Sequence, residues 1–129
     1  MLKKFDLGFT LAEVHDDYIQ NTIEEGYHVT SEDNNILIEF VKEYFKDKPF
    51  VYIANRVNSY SVDPTVYLET SKIKNLIGLA VVSSNSKQKR LTEFEKAFYK
   101  KDLKYFNTIE EALTWKDSLL RNYKTKQLK

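Results

Sequence analysis

The stretch that decides the fold is FVYIANRVNSYSVDP, residues 50–64. It begins with a β-branched and aromatic run, residues 50–54, which predicts a short buried strand. A polar loop follows and ends in Asp63-Pro64, where Asp favours a helix N-cap and Pro the first helical position. In parallel α/β folds, ligands and partners are met at the carboxyl ends of strands. Function is therefore sought first in the loop at 55–64.

Hydrophobic periodicity along the rest of the chain predicts an alternation of strands and helices. Thr30 is expected to cap one helix, and Thr108 is expected to form a capping box with Glu111 at the start of the last. Strands are expected at 5–11, 18–23, 50–54, 76–82 and 103–106, and helices at 30–46, 64–74, 87–99 and from 108 onward.

This order, β-β-α-β-α-β-α-β-α, predicts a single α/β domain. Its sheet should have five strands, mostly parallel, opened by an antiparallel hairpin and flanked by four helices. The helix at 87–99 is expected to bury one apolar stripe. The residues of that stripe are Leu91, Phe94, Ala97 and Phe98. Tyr105, Phe106 and Trp115 also have core-like spacing.

Length and composition favour a folded cytoplasmic protein. A chain of 129 residues suits one domain, with residues 1–4 and 122–129 expected to be frayed ends. The absence of cysteine excludes disulfides and thiolate chemistry. No apolar run approaches the roughly 20 residues of a membrane span, and no apolar segment follows the basic N-terminal residues as in a signal peptide.

Charge is distributed unevenly along the chain. Residues 1–65 carry a net charge of −6 and residues 66–129 a net charge of +7, which together give the net +1. Such polarity is compatible with head-to-tail association or an anionic partner, and equally with solvated helix faces and a frayed basic tail. No basic run is interleaved with stacking aromatics, so nucleic-acid binding is not expected.

Catalytic motifs are absent from the sequence. It contains no nucleophile elbow, no P-loop and no Gly-x-Gly-x-x-Gly fingerprint, and only three glycines in all. His28 lies near Glu24 and Glu25, but two histidines without a spaced partner do not predict a metal site. We therefore expect a protein that is not an enzyme and has no cofactor or metal.

The order of elements resembles that of the SpoIIAA-like, or STAS, fold, which also includes the SEC14 relatives. Three local patterns carry the resemblance: the strand-to-helix loop at 55–64, the strand Leu79-Ala80-Val81-Val82, and YFNTIEEALTW at 105–115. The last pattern is similar to the end of many small bacterial SpoIIAA-like proteins of unassigned role. The resemblance spans residues 5–120.

The resemblance implies a phosphorylation site. In STAS antagonists, a serine at the start of the helix after the middle strand is phosphorylated by a partner kinase. Ser59 and Ser61 fall in that loop here. The STAS pattern at this site is Asp-Ser-x-Gly, whereas Asn58-Ser59-Tyr60-Ser61 has neither the Asp nor the glycine. Asp63 would also repel an added phosphate.

The loop residues also have a chemistry of their own. Arg56 is able to clamp a carboxylate or phosphate, or else to pair with a neighbouring carboxylate of the chain. Tyr60 offers aromatic contact area. The remaining polar side chains are short and suited to shaping turns. The candidate site comprises Asn55, Arg56, Asn58, Ser59, Tyr60, Ser61 and Asp63.

Three functions follow. The first is a non-catalytic STAS-like interaction or regulatory module that binds a protein partner, or a second copy of itself, through the 55–64 loop. It predicts that Tyr60 and Val62 form a flat, exposed surface with no cavity beneath. The second is a SEC14-like binder of a small apolar ligand or lipid, which needs an enclosed pocket of about 300 Å³ or more. The third is an enzyme that uses Arg56, His28 or Asp63 in a shared cleft.

Overall fold

The computed structural model describes residues 3–58, 60–99 and 102–127. This part of the chain forms eight strands and four α-helices. The strands are β1 (Lys3–Asp6), β2 (Thr10–Val14), β3 (Tyr18–Ile23), β4 (His28–Val29), β5 (Phe50–Asn55), β6 (Ser61–Val62), β7 (Leu76–Val82) and β8 (Leu103–Phe106). The helices are α1 (Ser31–Phe45), α2 (Thr65–Thr70), α3 (Ser86–Glu95) and α4 (Ile109–Gln127), and a short 3-10 helix (Lys96–Phe98) follows α3.

Six of the strands form one sheet in the order β1-β2-β3-β5-β7-β8. Its first three strands are antiparallel neighbours, whereas β3, β5, β7 and β8 run parallel to one another. Strands β4 and β6 pair separately as a short parallel ribbon. The mixed α/β architecture with four helices, predicted from the sequence, is confirmed.

The sheet has six strands rather than five because the predicted strand 5–11 is divided by a turn. Gly8 lies in this turn with φ of 94°, a conformation that favours glycine. Its N–H donates to the Asp6 carboxylate at 2.9 Å, and the Leu7 N–H donates to the Thr10 carbonyl at 3.0 Å. The period-2 pattern runs through the turn unchanged, so hydrophobicity alone did not reveal it.

The two faces of the sheet are covered by different helices. Val51, Ile53 and Ala80 point to one face, where Ala112 of α4 packs against them. Phe50 points to the opposite face, where it stacks on Phe45 of α1 with ring centroids 4.3 Å apart. Helices α1 and α2 and the segment after α3 cover that second face.

The helices begin where the caps predict. The Thr30 hydroxyl accepts from the Asp33 N–H at 3.3 Å, and the Asp33 carboxylate accepts from the Thr30 N–H at 3.0 Å. At α4 the Glu111 carboxylate accepts from the Thr108 N–H at 3.1 Å, and the Thr108 hydroxyl accepts from the Glu111 N–H at 3.2 Å. Both N-termini are thus satisfied by local side chains, as in a capping box.

Two helices differ from their predicted form. Helix α2 ends at Thr70 rather than near residue 74, and α3 ends at Glu95, where the chain tightens into the 3-10 helix. The predicted burial of Leu91 and Phe94 is wrong, since these side chains are 45% and 59% exposed. The helix instead buries Thr92 and Glu95. The reason is the buried Arg56, described below, which pairs with Glu95 and so turns this polar side of the helix inward.

The ends of the chain also differ from expectation. β1 begins at Lys3, and α4 continues to Gln127, so parts of both predicted frayed ends lie in regular secondary structure. Residues 1, 2, 128 and 129 lie outside the described residues. None of the described helices is long and apolar enough to cross a membrane.

Candidate functional site

Arg56 is the organising residue of the loop after β5. Its backbone N–H donates to the carbonyl of Val82 at 2.9 Å, and the residue as a whole is only 6% exposed. Its Nε donates to the Tyr60 hydroxyl at 3.1 Å. Its Nη2 donates to the Tyr67 hydroxyl and to Oε2 of Glu95, each at 2.9 Å. One buried guanidinium therefore connects the loop to α2 and α3, while the backbone of the same residue is tied to β7.

The electrostatics of this cluster favour the charged form of Arg56. Burial alone would lower the pKa of Arg56, but the oxygens of Tyr60, Tyr67 and Glu95 outweigh it and raise that pKa. Burial, partly offset by Arg56, raises the pKa of both tyrosines, so they keep their protons. The Tyr67 hydroxyl donates a short hydrogen bond to the Glu95 carboxylate. The result is a buried ion pair flanked by two hydroxyl groups.

The structure shows Arg56 paired with a carboxylate of the same chain, which is one of the two interpretations of this residue given above. The side chains of Arg56 and Glu95 are 3% and 10% exposed. The guanidinium makes its described contacts within the chain, to the loop and to the two helices. The Arg56 cluster, comprising Arg56, Tyr60, Tyr67 and Glu95, thus holds the loop against the helices.

Other predicted site residues also make hydrogen bonds within the chain. The Asn58 amide donates to the carbonyl of Ile23 at 2.9 Å, which ties the loop to the end of β3. Asp63 accepts from the N–H and hydroxyl of Thr65 at 3.0 and 2.9 Å, and so caps α2. These hydrogen bonds lower the pKa of Asp63. Asn55 ends β5 and is half-buried.

The two serines proposed for phosphorylation are only partly described. Ser59 lies outside the described residues. Ser61 is exposed in β6, and its hydroxyl lies 2.7 Å from Nδ1 of His28. It therefore lies in the β4–β6 ribbon, whereas the start of α2 is already capped by Asp63. Phosphorylation of either serine stays a prediction.

An open cleft lies at the carboxyl ends of the parallel strands. It has a volume of about 550 Å³ and is bounded by three chain segments, which follow β5, β7 and β8. Val57 lies on its edge and is 69% exposed. Hydroxyl and amide side chains supply most of the remaining wall. The lining residues are Asn55, Arg56, Val57, Asn58, Val82, Ser83, Ser84, Asn85, Asn107, Thr108, Ile109 and Glu110.

A smaller cavity lies beneath the loop on the α1 and α2 side. Tyr60 and Val62 are half-buried and line it, so they do not form the flat surface over solid core that the interaction hypothesis expected. Its volume is about 50 Å³, well below the roughly 300 Å³ at which small-molecule pockets begin. It is too small for a lipid chain in this conformation.

The residues of the enzyme hypothesis do not share either of the two cavities described above. Arg56 borders the cleft, but His28 and Asp63 line neither the cleft nor the smaller cavity. Among the described residues, no group of three His, Cys, Asp or Glu side chains is placed to hold a metal ion.

Sequence reasoning missed the residues that complete the site. Glu95 lies 39 positions from Arg56 and is outside the candidate site predicted from the sequence. The segments 83–85 and 107–110 also line the cleft but are outside that candidate site, and Thr108 is expected from the sequence only as a helix cap. The usable signal was topological, because loops that follow neighbouring parallel strands emerge at one edge of the sheet.

Comparison with known proteins supports the fold alone. No family model and no curated protein matches the sequence. Among solved structures, the chain is similar to an uncharacterized protein from the DUF3478 family with a SpoIIAA-like fold, from Shewanella loihica PV-4. The TM-score is 0.55 with 14% identity, over 90% of this chain and 92% of that one. The SpoIIAA-like fold implied by the sequence is therefore confirmed.

Proposed function

We propose that this chain is a non-catalytic interaction module that binds a protein partner at the carboxyl-end cleft. The observation that carries the proposal is the anchored loop on the wall of the cleft. The Arg56 cluster and the Asn58 bond to Ile23 fix the loop from inside, while Val57 remains 69% exposed on the rim. Loops held by a rigid scaffold commonly carry binding residues.

The lining of the cleft supports binding rather than catalysis. Apart from Arg56, which is engaged with Glu95, its charged member is the exposed carboxylate of Glu110. A hydroxyl nucleophile needs a base within hydrogen-bond reach, and a general acid or base must reach the substrate proton; the described lining contains no His, Lys or Asp for either role. Short hydroxyl and amide groups instead suit hydrogen bonds to the polar backbone of a partner.

The test compares Val57→Asp with a matched control, Leu11→Asp. Leu11 is an exposed apolar residue on β2, away from the cleft, at 43% exposure. Partners are captured from the source cells with each tagged protein, identified, purified and titrated against all three proteins. We expect Val57→Asp to weaken binding about tenfold or more, since a charge replaces an apolar contact at the rim. Leu11→Asp should bind like the wild type.

Equal partner affinity for both variants would contradict the cleft as the docking site. Circular dichroism and thermal melting of each variant establish that a loss of binding is not a loss of folding. Because Val57 is largely exposed, its substitution should change the free energy of unfolding by no more than about 0.5 kcal/mol.

A second candidate function is the binding of a small polar ligand in the same cleft. The volume of about 550 Å³ favours it, since ligand sites typically span about 300–1,000 Å³. Ser84→Phe would fill the cleft with a ring from an exposed position. A metabolite that raises the melting temperature of the wild type should fail to do so with this variant. Equal stabilisation of both proteins would place the ligand elsewhere.

A further inference from the structure

Exposed apolar side chains occur on two helices of opposite charge. Five large hydrophobic residues are strongly exposed in the described part of the chain, and three of them lie on α1 and α3. Ile36 of α1 is 50% exposed, and Leu91 and Phe94 of α3 are 45% and 59% exposed. On the side of each helix that carries these apolar residues the charges have one sign, and a residue of the opposite sign lies on the flank.

On α1 the surrounding charge is negative. Three glutamates lie on the same side of this helix as Ile36. Glu32 precedes Ile36 by four residues, and Glu39 and Glu43 follow it by three and seven residues. All three are exposed. Lys42 lies on the flank of this surface. We call Glu32, Ile36, Glu39 and Glu43 the acidic face.

On α3 the surrounding charge is positive. Lys87 and Arg90 lie seven and four residues before Phe94, so they share its side of the helix with Leu91. The ring of Phe94 packs on Phe98, with centroids 5.4 Å apart, and still leaves most of its surface in solvent. Glu93 lies on the flank and pairs with Lys96. We call Lys87, Arg90, Leu91 and Phe94 the basic face.

The side-chain charges of the two faces have no partner within residues 3–58, 60–99 and 102–127. The hydrogen bonds and ion pairs of this part of the chain do not involve the carboxylates of Glu32, Glu39 or Glu43. Nor do they involve the side chains of Lys87 or Arg90. Both faces are therefore available to a complementary surface.

The fold keeps the two faces of one molecule apart. Along the chain, α1 lies between β3 and β5, α2 between β5 and β7, and α3 between β7 and β8, and the sheet places these strands side by side in that order. α1 packs on α2, and α2 packs on the 3-10 helix after α3, so α2 lies between the two. The acidic face and the basic face thus lie at opposite ends of one helical layer.

We propose that a second copy of this chain docks its acidic face on the basic face of the first. The apolar residues Ile36 and Phe94 would form the centre of this contact, and the glutamates would meet Lys87 and Arg90 around it. The contact joins two different surfaces, so it is head-to-tail and extends into a ring or an open chain. It uses residues outside the cleft of the proposed function, and the two proposals stand separately.

The first measurement is sedimentation velocity of the full chain over a range of concentrations at low and high salt. In low salt the weight-average mass should rise with concentration above that of the 15.3 kDa monomer. In about 0.5 M salt the dissociation constant should rise about tenfold, because the screening length falls well below 10 Å. A wild-type protein that stays monomeric at every concentration in low salt would overturn the proposal.

Charge reversal then identifies the surfaces. Glu39→Lys/Glu43→Lys and Lys87→Glu/Arg90→Glu should each remain monomeric, since each gives both faces the same sign. An equimolar mixture of the two variants should associate again, because each then offers the charge that the other lacks. Lys124→Glu/Lys126→Glu is the control for the second variant, with the same change in net charge as Lys87→Glu/Arg90→Glu on exposed residues of α4, and should associate like the wild type.

Three outcomes of this second measurement would overturn the proposal. One is association that survives reversal of either face, and another is a mixture of the two reversed variants that stays monomeric. The third is an equal loss in the α4 control, which would show an effect of net charge alone. Co-sedimentation of a monomeric wild type with vesicles containing phosphatidylserine would assign the basic face to an anionic membrane instead.

Discussion

Replacing Arg56 by Met should be among the most damaging single changes outside the apolar core. Met fills a similar space without charge, so the change leaves the Glu95 carboxylate buried without its counter-charge. Glu95 also has a buried Oε1 without a hydrogen-bond partner among the described residues, so little remains to compensate it. Removing one member of a buried ion pair typically costs about 3–5 kcal/mol.

This cost is large compared with the whole stability of a domain. Unfolding free energies are about 5–15 kcal/mol, and a domain of this size loses roughly 4 °C in Tm per kcal/mol. Arg56→Met should therefore lower Tm by about 12–20 °C. Arg121→Met, on an exposed turn of α4, is the matched control and should stay within about 0.5 kcal/mol of the wild type.

The double variant Arg56→Met/Glu95→Leu separates the ion pair from simple loss of packing. Buried pairs replaced together by apolar residues of similar volume are often tolerated. The Tyr60 and Tyr67 hydroxyls lose partners in this variant, at about 1–3 kcal/mol each, so full recovery is not expected. The double variant should nevertheless be more stable than Arg56→Met alone by at least about 1 kcal/mol.

The assay is equilibrium unfolding in urea followed by fluorescence. Trp115 is the single tryptophan and packs on Phe106, with ring centroids 5.5 Å apart, on the opposite face of the sheet from the Arg56 cluster. It therefore reports global unfolding rather than a local change in the loop. A cost below about 1 kcal/mol for Arg56→Met, or additive costs in the double variant, would refute a stabilising buried pair.

Three further predictions concern the scaffold. Burial alone would raise the pKa of Asp33, but hydrogen bonds from Thr30 and Tyr27 outweigh it and lower that pKa. The ionised Asp33 carboxylate therefore stabilises the fold above about pH 4, and this stabilisation is lost as the pH falls through the folded pKa. The free energy of unfolding should thus fall more steeply with decreasing pH below about pH 4 for the wild type than for Asp33→Asn. Parallel curves for the two proteins would contradict this. Gly78→Ala should cost about 1–3 kcal/mol in urea unfolding, because its new Cβ would lie 2.5 Å from Leu119 and 2.9 Å from the Trp115 ring; a neutral result would mean that α4 shifts freely. Thr108→Ala should cost about 0.5–2 kcal/mol through loss of the α4 cap, and an unchanged urea midpoint would argue against that cap.

Local chemistry made part of the fold predictable. The caps at Thr30 and Thr108 and the apolar strand at 76–82 depend on residues close in sequence, and the structure has them at the expected positions. The division of 5–11 was missed because a turn at Gly8 leaves the alternation intact.

The site was harder to predict because its contacts are distant in sequence. The loop 55–64 was identified from a strand followed by a helix cap, but the fate of Arg56 depends on Glu95, 39 residues away. A carboxylate in an amphipathic helix ordinarily faces water. Here a buried cation draws it inward, and the apolar side of α3 turns partly outward.

The central claim is that the Arg56 cluster holds the loop from inside while the cleft meets the partner. Amide chemical-shift mapping by NMR, during titration with the purified partner, tests it most directly. We expect the shifted amides to cluster at 55–58, 83–85 and 107–110, with those of β2 and the outer turns of α4 unchanged. Shifts confined to the acidic or basic face, with those three segments silent, would contradict it.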